Sequence, residues 1–463
     1  MTRLLPARRA VADAATPDRD RAVDVARLGA LVVVMFGHCA MLLATIGSGG
    51  VWIGNLLGEL PAIRPITWIL QVMPLFFLAG GAAGAYSWRP GTPWGTWLLT
   101  RAQRLCRPVF FYLGVWAAAL LAVRMTLGAQ SADRLGGESV ALLWFLGVYL
   151  VVLAFVPALT RLHSGRAVAV LVGFLMLTSS GFDLLRFATG APAAGVVNFV
   201  IVWLIPMSIG VAYARRLIGP RSALVVAVAA FAAQVLLVWA GPYEVSLVVT
   251  GTEQISNVSP PTVVLALHCT WVSCGFVAAA GAIRRWAARP RVWYVVAVGN
   301  AGAMTLYLWH IPAIAVAAVV LNALGLDAYD VHAAGFWGLL ALRALVFAVV
   351  MSLAFLLLSP LEHRPLPWWD KRVHATGARS TLAGALVCIS GVVLVLMAKN
   401  GLSGPEGWWL LGSFVAVAVI ARACAGAAPR DLTSQAATLP PAPCSADDAP
   451  QPVPAGDAIA PTA

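Results

Sequence analysis

The chain has 463 residues, 60% of them hydrophobic and only 11% charged, with a mean hydropathy of +0.85. A soluble globular domain carries roughly a quarter of its residues as charges, so a water-soluble fold is excluded and a multi-span membrane protein is expected. The net charge of +12 does not point to nucleic acid, because the arginines are scattered between apolar runs rather than gathered on one face.

The first 22 residues carry Arg, Asp and Pro and no separate apolar core, so no cleavable secretory peptide is expected and the first apolar helix should stay as an anchor. Apolar runs of about twenty residues, suited to helices crossing roughly 30 Å of hydrocarbon, follow one another along the chain. They lie near residues 23–45, 66–87, 108–128, 140–160, 167–182, 195–214, 222–241, 262–283, 293–322, 336–359, 380–398 and 408–425. The fifth is short and the ninth long. With both termini cytoplasmic, 24 of the 31 Lys and Arg fall on the inner side; only Arg64, Arg124, Arg134, Arg186 and Lys399 fall outside, and Arg27 and Arg343 fall within spans. That bias sets the orientation. From about residue 426 the composition turns to Ala, Pro, Ser and Asp, which cannot bury a core and is expected to be disordered.

Arginine and histidine inside apolar helices are costly and usually line a pocket or aqueous path. In the first span Arg27 and His38 are eleven residues apart, about 16 Å of rise and within roughly 20° of three full turns, so they share a helix face. Arg27 then sits near the cytoplasmic boundary and His38 well inside, with Asp24 one turn before Arg27 as its expected ion-pair partner. Arg101 and Arg104, one turn apart, stand at the cytoplasmic mouth of the third span just before Arg107-Pro108. They are equally consistent with anchors that snorkel to phosphate head groups, and a lone His38 with a packing residue bonded to a carbonyl.

An imidazole that stays unprotonated can serve as a general base near neutral pH, and guanidinium groups at a membrane mouth suit bidentate capture of phosphate. A donor with a phosphate-bearing head at the cytoplasmic face and a long thin arm would place its reactive end near His38. Acyl-coenzyme A (acyl-CoA) has that shape. The seven cysteines, Cys39, Cys106, Cys269, Cys274, Cys388, Cys424 and Cys444, are odd in number and without metal-type spacing, so they read as small apolar packing residues and no metal is expected.

Five stretches carry a resemblance. Arg21-Ala-Val-Asp24-Val-Ala-Arg27 followed by His38 is similar to the opening helix of the membrane-bound acyltransferase family 3, including the Arg, ten residues, His spacing. Arg101-Ala-Gln-Arg104 resembles its paired-arginine motif, Met73-Pro-Leu-Phe-Phe-Leu its second-helix element, Trp144-Phe-Leu-Gly-Val-Tyr149-Leu its fourth-helix aromatic run, and Met304-Thr-Leu-Tyr307-Leu-Trp-His310 its late helix. The resemblance runs in order over about residues 20–370.

The resemblance implies an all-α, polytopic helical membrane bundle of about ten core spans (residues 23–370), after the cytoplasmic arm 1–22. Two additional C-terminal spans (371–425) and the tail (426–463) would follow. It implies Arg27, Arg101 and Arg104 as the acyl-CoA site, with acetyl-CoA foremost, and His38 as the catalytic histidine. The implied acceptor is a hydroxyl of a sugar in a surface glycan, a lipid or a secreted natural product, and the implied location a bacterial plasma membrane, with membrane lipids around it and no nucleic acid partner. Two departures stand out. The family's Phe-Phe-x-x-Ser-Gly is here Phe76-Phe77-Leu-Ala-Gly80-Gly81, and the fused extracytoplasmic esterase-like domain of some relatives is not expected here.

Other polar residues qualify as acceptor-side or supporting groups: Asp24, Tyr307, His310 and His268, where either histidine would orient the acceptor, relay a proton or simply hold structure. Haem ligation by two of His38, His268 and His310 is a weaker reading. Arg343, in the tenth span, needs an anionic or carbonyl partner. Trp52, Trp68, Trp94, Trp97, Trp408 and Trp409 lie near span ends, where interfacial anchoring is the default, and Gly80 and Gly84 suit close helix packing. Glu59, Asp133, Glu138, Asp183, Glu244, Glu253, Asp327 and Asp330 fall in outer loops as solvated charge or sugar-binding carboxylates, and Asn257-Val-Ser259 matches the glycosylation pattern. The rival reading is a secondary transporter or exporter with His and Arg along its path, but no repeated halves are found in the sequence. A lipid-binding scaffold explains the His and Arg face least well.

Overall fold

Lipid offers no partner to a backbone N–H or C=O, so an apolar chain of this kind must close its hydrogen bonds within helices. In the computed structural model, residues 19–47, 50–326 and 328–426 are described. The N-terminal arm as far as residue 18, Asp327 and the tail from residue 427 lie outside the described residues.

In chain order the elements are α1 (Arg21–Met41), a hairpin of β1 (Leu42–Gly47) and β2 (Gly50–Asn55), α2 (Leu56–Glu59), a 3-10 turn (Pro61–Ile66), α3 (Thr67–Leu70), α4 (Met73–Ser87), α5 (Trp94–Leu127), α6 (Ala129–Ser139), α7 (Leu143–Leu153) and α8 (Val156–Leu159). There follow α9 (Gly165–Thr189), a 3-10 turn (Pro192–Gly195), α10 (Asn198–Ala214), α11 (Pro220–Ala240), α12 (Val263–Ala287), α13 (Pro290–Ala301), α14 (Ala303–Ala323), α15 (Phe336–Glu362), α16 (Gly377–Asn400) and α17 (Gly404–Cys424). Among the described residues eleven helical segments are long and apolar enough to cross a membrane, and α7 is a shorter apolar helix. The protein is an all-α, multi-pass membrane protein.

Four boundaries differ from the hydropathy reading. The first apolar run leaves the helix at Met41, where Leu42 N–H bonds the His38 carbonyl, and continues as an antiparallel hairpin in register from Leu42↔Asn55 to Gly47↔Gly50. The third helix begins at Trp94, not near 108, so Arg101 and Arg104 lie inside a 34-residue helix that rises about 51 Å. The fourth run breaks into α7 and α8, which is tolerated because most of α7 is buried in protein rather than in lipid. The long ninth run is two helices separated by Gly302 (φ −109°). A Cβ at Gly302 would strike the Phe355 ring of α15, so only glycine permits the close approach there.

Sequence explains several ends directly. Asp20 caps α1 by accepting from Ala22 N–H at 3.0 Å, Ser164 caps α9 through Ala167 N–H at 3.2 Å, and Gly190, in the left-handed region at φ 66°, ends α9. The interior is built around α10 and α12, the most buried spans. Helix α4 meets α10 backbone to backbone, with Gly81 against the Met207 carbonyl and Gly210 against that of Leu78. Helices α16 and α17 pack on each other, and α16 packs along α5 and α7. There Gly95 abuts the Ser380 carbonyl, Gly384 the Trp94 ring, and Gly147 the carbonyl of Gly391; small residues let helices approach this closely without a hydrophobic drive.

The chain between α11 and α12 packs over the segment that joins the hairpin to α4. Its carbonyls accept from Asn55 (to Val249, 3.0 Å), Trp68 (to Val245, 2.7 Å) and Gln71 (to Leu247, 2.8 Å).

Candidate active site

Two helices far apart in sequence bring together two histidines. Nε2 of His310, in α14, lies 3.3 Å from Nδ1 of His38, in α1, with ring centroids 5.2 Å apart. The other nitrogen of His310, Nδ1, is 2.7 Å from the carbonyl oxygen of Tyr307, one turn earlier. A carbonyl only accepts, so His310 Nδ1 carries the hydrogen. With both rings neutral, His310 Nε2 then presents a lone pair toward His38 Nδ1, and the His38 ring also bonds the Val34 backbone one turn back. His310 is fully buried, whereas His38 is only half-buried. The Tyr307 hydroxyl donates to the Leu142 carbonyl just ahead of α7, fixing the turn of α14 that carries His310. A histidine set against a second, fixed ring is an arrangement that general-base catalysis can use.

Toward the other end of α1, cationic groups converge. Arg27 and Arg101 both act electrostatically on the Tyr149 hydroxyl of α7, and Arg104 acts on Arg101. Arg101 is braced: its guanidinium lies over the Trp97 ring at 3.9 Å, donates to the Trp97 carbonyl at 3.3 Å and reaches the Ser87 hydroxyl. Arg27 and Arg104 have no hydrogen-bond or ion-pair partner among the described residues, and Arg104 is exposed. Two unpartnered guanidinium groups beside a fixed one suit a polyanion. Tyr149 was not singled out as a site residue from sequence. Its place depends on Gly80: a Cβ there would lie 2.5 Å from both the Tyr149 hydroxyl and its ring.

The family model for membrane-bound acyltransferase family 3, described as an acyltransferase domain, matches residues 20–359. The chain belongs to this family. It is a membrane-bound acyltransferase, and the match runs from the N-cap of α1 into the last turn of α15, leaving α16 and α17 beyond it. No curated protein and no solved structure matches the chain.

The remaining polar residues of this acyltransferase sort by their contacts. Asp24 does not pair with Arg27. It pairs with Arg19, at 2.5 Å, because the chain entering α1 turns Arg19 back over the first helical turn. His268 stands apart from the His38 and His310 pair. It is fully buried, its Nε2 is 2.7 Å from the Gln71 carbonyl, and its ring meets Trp271, which donates to Gln234. Arg343 does find a carbonyl partner, that of Cys39, at 2.8 Å. Among the described residues no cluster of three or more His, Cys, Asp or Glu side chains could hold a metal ion.

Asp183 is not loop charge. It sits in α9, 1% exposed, accepting from Asn198, Tyr243 and the Val263 N–H. Of the other acidic residues, Glu244 lies 3.8 Å from Arg64, Glu253 accepts from Thr250, Asp330 from the His332 N–H and Asp133 from the Gly404 N–H. Asn257, inside the glycosylation pattern, is buried, and its amide donates to the carbonyls of Glu244 and Ser246. Trp97 is buried under Arg101 and so is not a membrane-interface anchor, while Trp94, half-buried, donates to the Ala154 carbonyl. Trp409 is 76% exposed.

Proposed function

We propose that this acyltransferase moves an acyl group, acetyl or another short acyl, from cytoplasmic acyl-CoA to a hydroxyl of a sugar-containing acceptor in a bacterial plasma membrane. The observation that carries the reading is the disposition of α1: the His38 ring set against His310, and about 16 Å of helix rise away the Arg27, Arg101, Arg104 and Tyr149 cluster. A long donor with phosphates at one end and a thioester at the other fits that span. In this reading Arg27 and Arg104, flanking the braced Arg101, hold the phosphates. His38 Nε2 takes the acceptor's hydroxyl proton as its oxygen attacks the thioester carbonyl. The tetrahedral oxyanion then collapses, the C–S bond breaks, and the proton on His38 passes to the departing thiolate.

The test is thermal unfolding of detergent-purified protein with and without acetyl-CoA, since a ligand of the native state must stabilise it. Wild type and His38→Ala are expected to be stabilised, and Arg27→Ala/Arg104→Ala not, while His38→Ala transfers no radiolabelled acetyl group. These two arginines are chosen because neither braces a neighbour. A folded wild type left unstabilised by short and long acyl-CoA alike would overturn the donor assignment, and transfer by His38→Ala at the wild-type rate would overturn the base.

A further inference from the structure

Helix α17 and the segment 363–376 lie beyond the family match, and together with α5 they enclose an apolar groove of about 500 Å³. Phe110, Gly114 and Ala117 of α5 form one wall, Trp368 a second, and Val415 and Val419 of α17 the third. The volume falls within the roughly 300–1,000 Å³ of small-ligand sites. Over the length from Phe110 to Ala117, about 10 Å of rise, a packed helix 10–12 Å across would need roughly 1,000 Å³. A neighbouring helix therefore cannot enter, whereas a single hydrocarbon chain can.

The wall is fixed by contacts of its own. The Trp369 indole donates to the Gln103 carbonyl at 2.9 Å, and the Gln103 amide donates back to the carbonyls of Trp369 and of Lys371. The Phe110 ring meets Trp369 edge-on at 4.9 Å and Phe414 at 5.6 Å. These contacts latch the segment to α5 and to α17, so the groove is formed in advance of any occupant.

Its charge is one-sided. The segment and the helix turns beside it carry Arg107, Arg364, Lys371, Arg372 and Arg422 against one carboxylate, Asp370. Arg107 lies 3.4 Å from Asp370. Arg422, 2% exposed, places its donors on the carbonyls of Trp369, Lys371 and Gly426, and no carboxylate pairs with it among the described residues. Its guanidinium lies 5.2 Å from the Trp368 ring, in the groove wall. Arg107 stands one turn before Phe110 and Arg422 one turn after Val419, so both mark the same end of the groove. An apolar slot with uncompensated cations at one end matches an amphiphile with a hydrocarbon tail and an anionic head.

We propose that this groove is a binding site for an anionic membrane phospholipid, with one acyl chain between α5 and α17 and the head group at the Arg107 and Arg422 end. The site stands independently of the acyl-transfer reading, and it gives the segment 363–376 and α17 a role that the family match leaves open.

The experiment is native mass spectrometry of the full-length protein, released from detergent after incubation with phosphatidylglycerol and phosphatidylcholine of identical acyl chains. Thermal unfolding in lipid-free detergent checks folding. Wild type is expected to retain one phosphatidylglycerol and to hold it about fivefold better than phosphatidylcholine, the weight of one cation near an anionic lipid. Gly114→Leu is the occluding variant: a Cβ at Gly114 meets nothing within 4 Å, so α5 accepts the side chain and the groove loses its space. It should unfold as wild type does and retain neither lipid. Arg422→Gln should keep the lipid and lose the preference, and Gly114→Leu preserves the test if that variant does not fold. Equal retention of the two lipids by wild type, a folded Gly114→Leu that still holds phosphatidylglycerol, or an intact preference in folded Arg422→Gln would each overturn the proposal. A wild-type dimer that Gly114→Leu converts to monomer would give the groove to a second copy of the chain and overturn it as well.

Discussion

His310 holds His38 by the nitrogen that a base does not use. The 3.3 Å contact joins Nε2 of one ring to Nδ1 of the other across 272 residues of sequence. Because His310 is itself pinned by the Tyr307 carbonyl, its Nε2 faces His38 as an acceptor. In the proposed mechanism, when His38 takes a proton at Nε2, His310 remains an acceptor for the Nδ1–H of the imidazolium.

His310→Phe removes the acceptor while keeping a flat ring in the buried site. Turnover is expected to fall about 100-fold, within the range for general-base catalysis, with the donor KM unchanged. His310→Gln, whose amide oxygen can accept from His38, should recover part of the loss. Steady-state kinetics on the two variants check this; equal activity of His310→Phe and wild type would remove His310 from the mechanism.

Gly80 and Tyr149 form a second coupled pair. The methyl group of Gly80→Ala would lie 2.5 Å from the Tyr149 ring and hydroxyl, so the ring must swing away from Arg27 and Arg101. Overpacking of this kind costs about 1–3 kcal/mol, and the donor KM should rise several-fold. In a Tyr149→Ala background the added methyl loses its three nearest contacts, all of them to the Tyr149 ring, and its extra cost is expected to shrink. A double-mutant cycle on thermal stability and donor KM measures the coupling; strict additivity would show that the two positions do not communicate.

The loop between α11 and α12 carries a pH dependence of its own. Burial would push the Glu253 carboxyl up, but the Thr250 hydroxyl and backbone N–H groups at Glu253, Thr250 and Gly251 outweigh it and hold the group below its ordinary value of 4.5. A carboxyl depressed in the folded state adds stability above its unfolded pKa and loses it as pH falls through the folded pKa. Loop protection should therefore be constant above about pH 5.5 and decline as the pH drops below 4.5. Glu253→Gln should lack that decline. Amide hydrogen exchange of residues 245–257 between neutral and acid pH reads it directly, and parallel curves for wild type and variant would contradict it.

Much of this molecule was legible from its residues because lipid leaves so few choices. Apolar runs of about twenty residues become helices whatever their order, and Arg27 and His38 were bound to share a face once both lay in α1. The limits have physical causes. Hydropathy could not see that α5 begins at Trp94, since the aromatic and basic stretch ahead of Pro108 is helical without being apolar. Nor could it see that the continuous apolar run breaks at Gly302, where the close neighbour is a ring on α15. Local spacing paired Asp24 with Arg27, but Arg19, just ahead of the helix, arrives first. Tyr149 and the partnership of His38 with His310 depend on helices distant in sequence. Only the polar tip inside an aromatic run hinted at the first, and only the histidine closing Tyr-Leu-Trp-His at the second.

The glycine contacts of α16 bear on how the protein is made. Arg101 and Tyr149 ride on α5 and α7, and the seams at Gly95, Gly147, Gly384 and Gly391 fasten both to a helix translated more than two hundred residues later. Until α16 leaves the ribosome and inserts, those notched faces meet lipid or whatever helix lies nearest. The arginine cluster, though encoded well before α16, reaches its final setting only once that helix is in place.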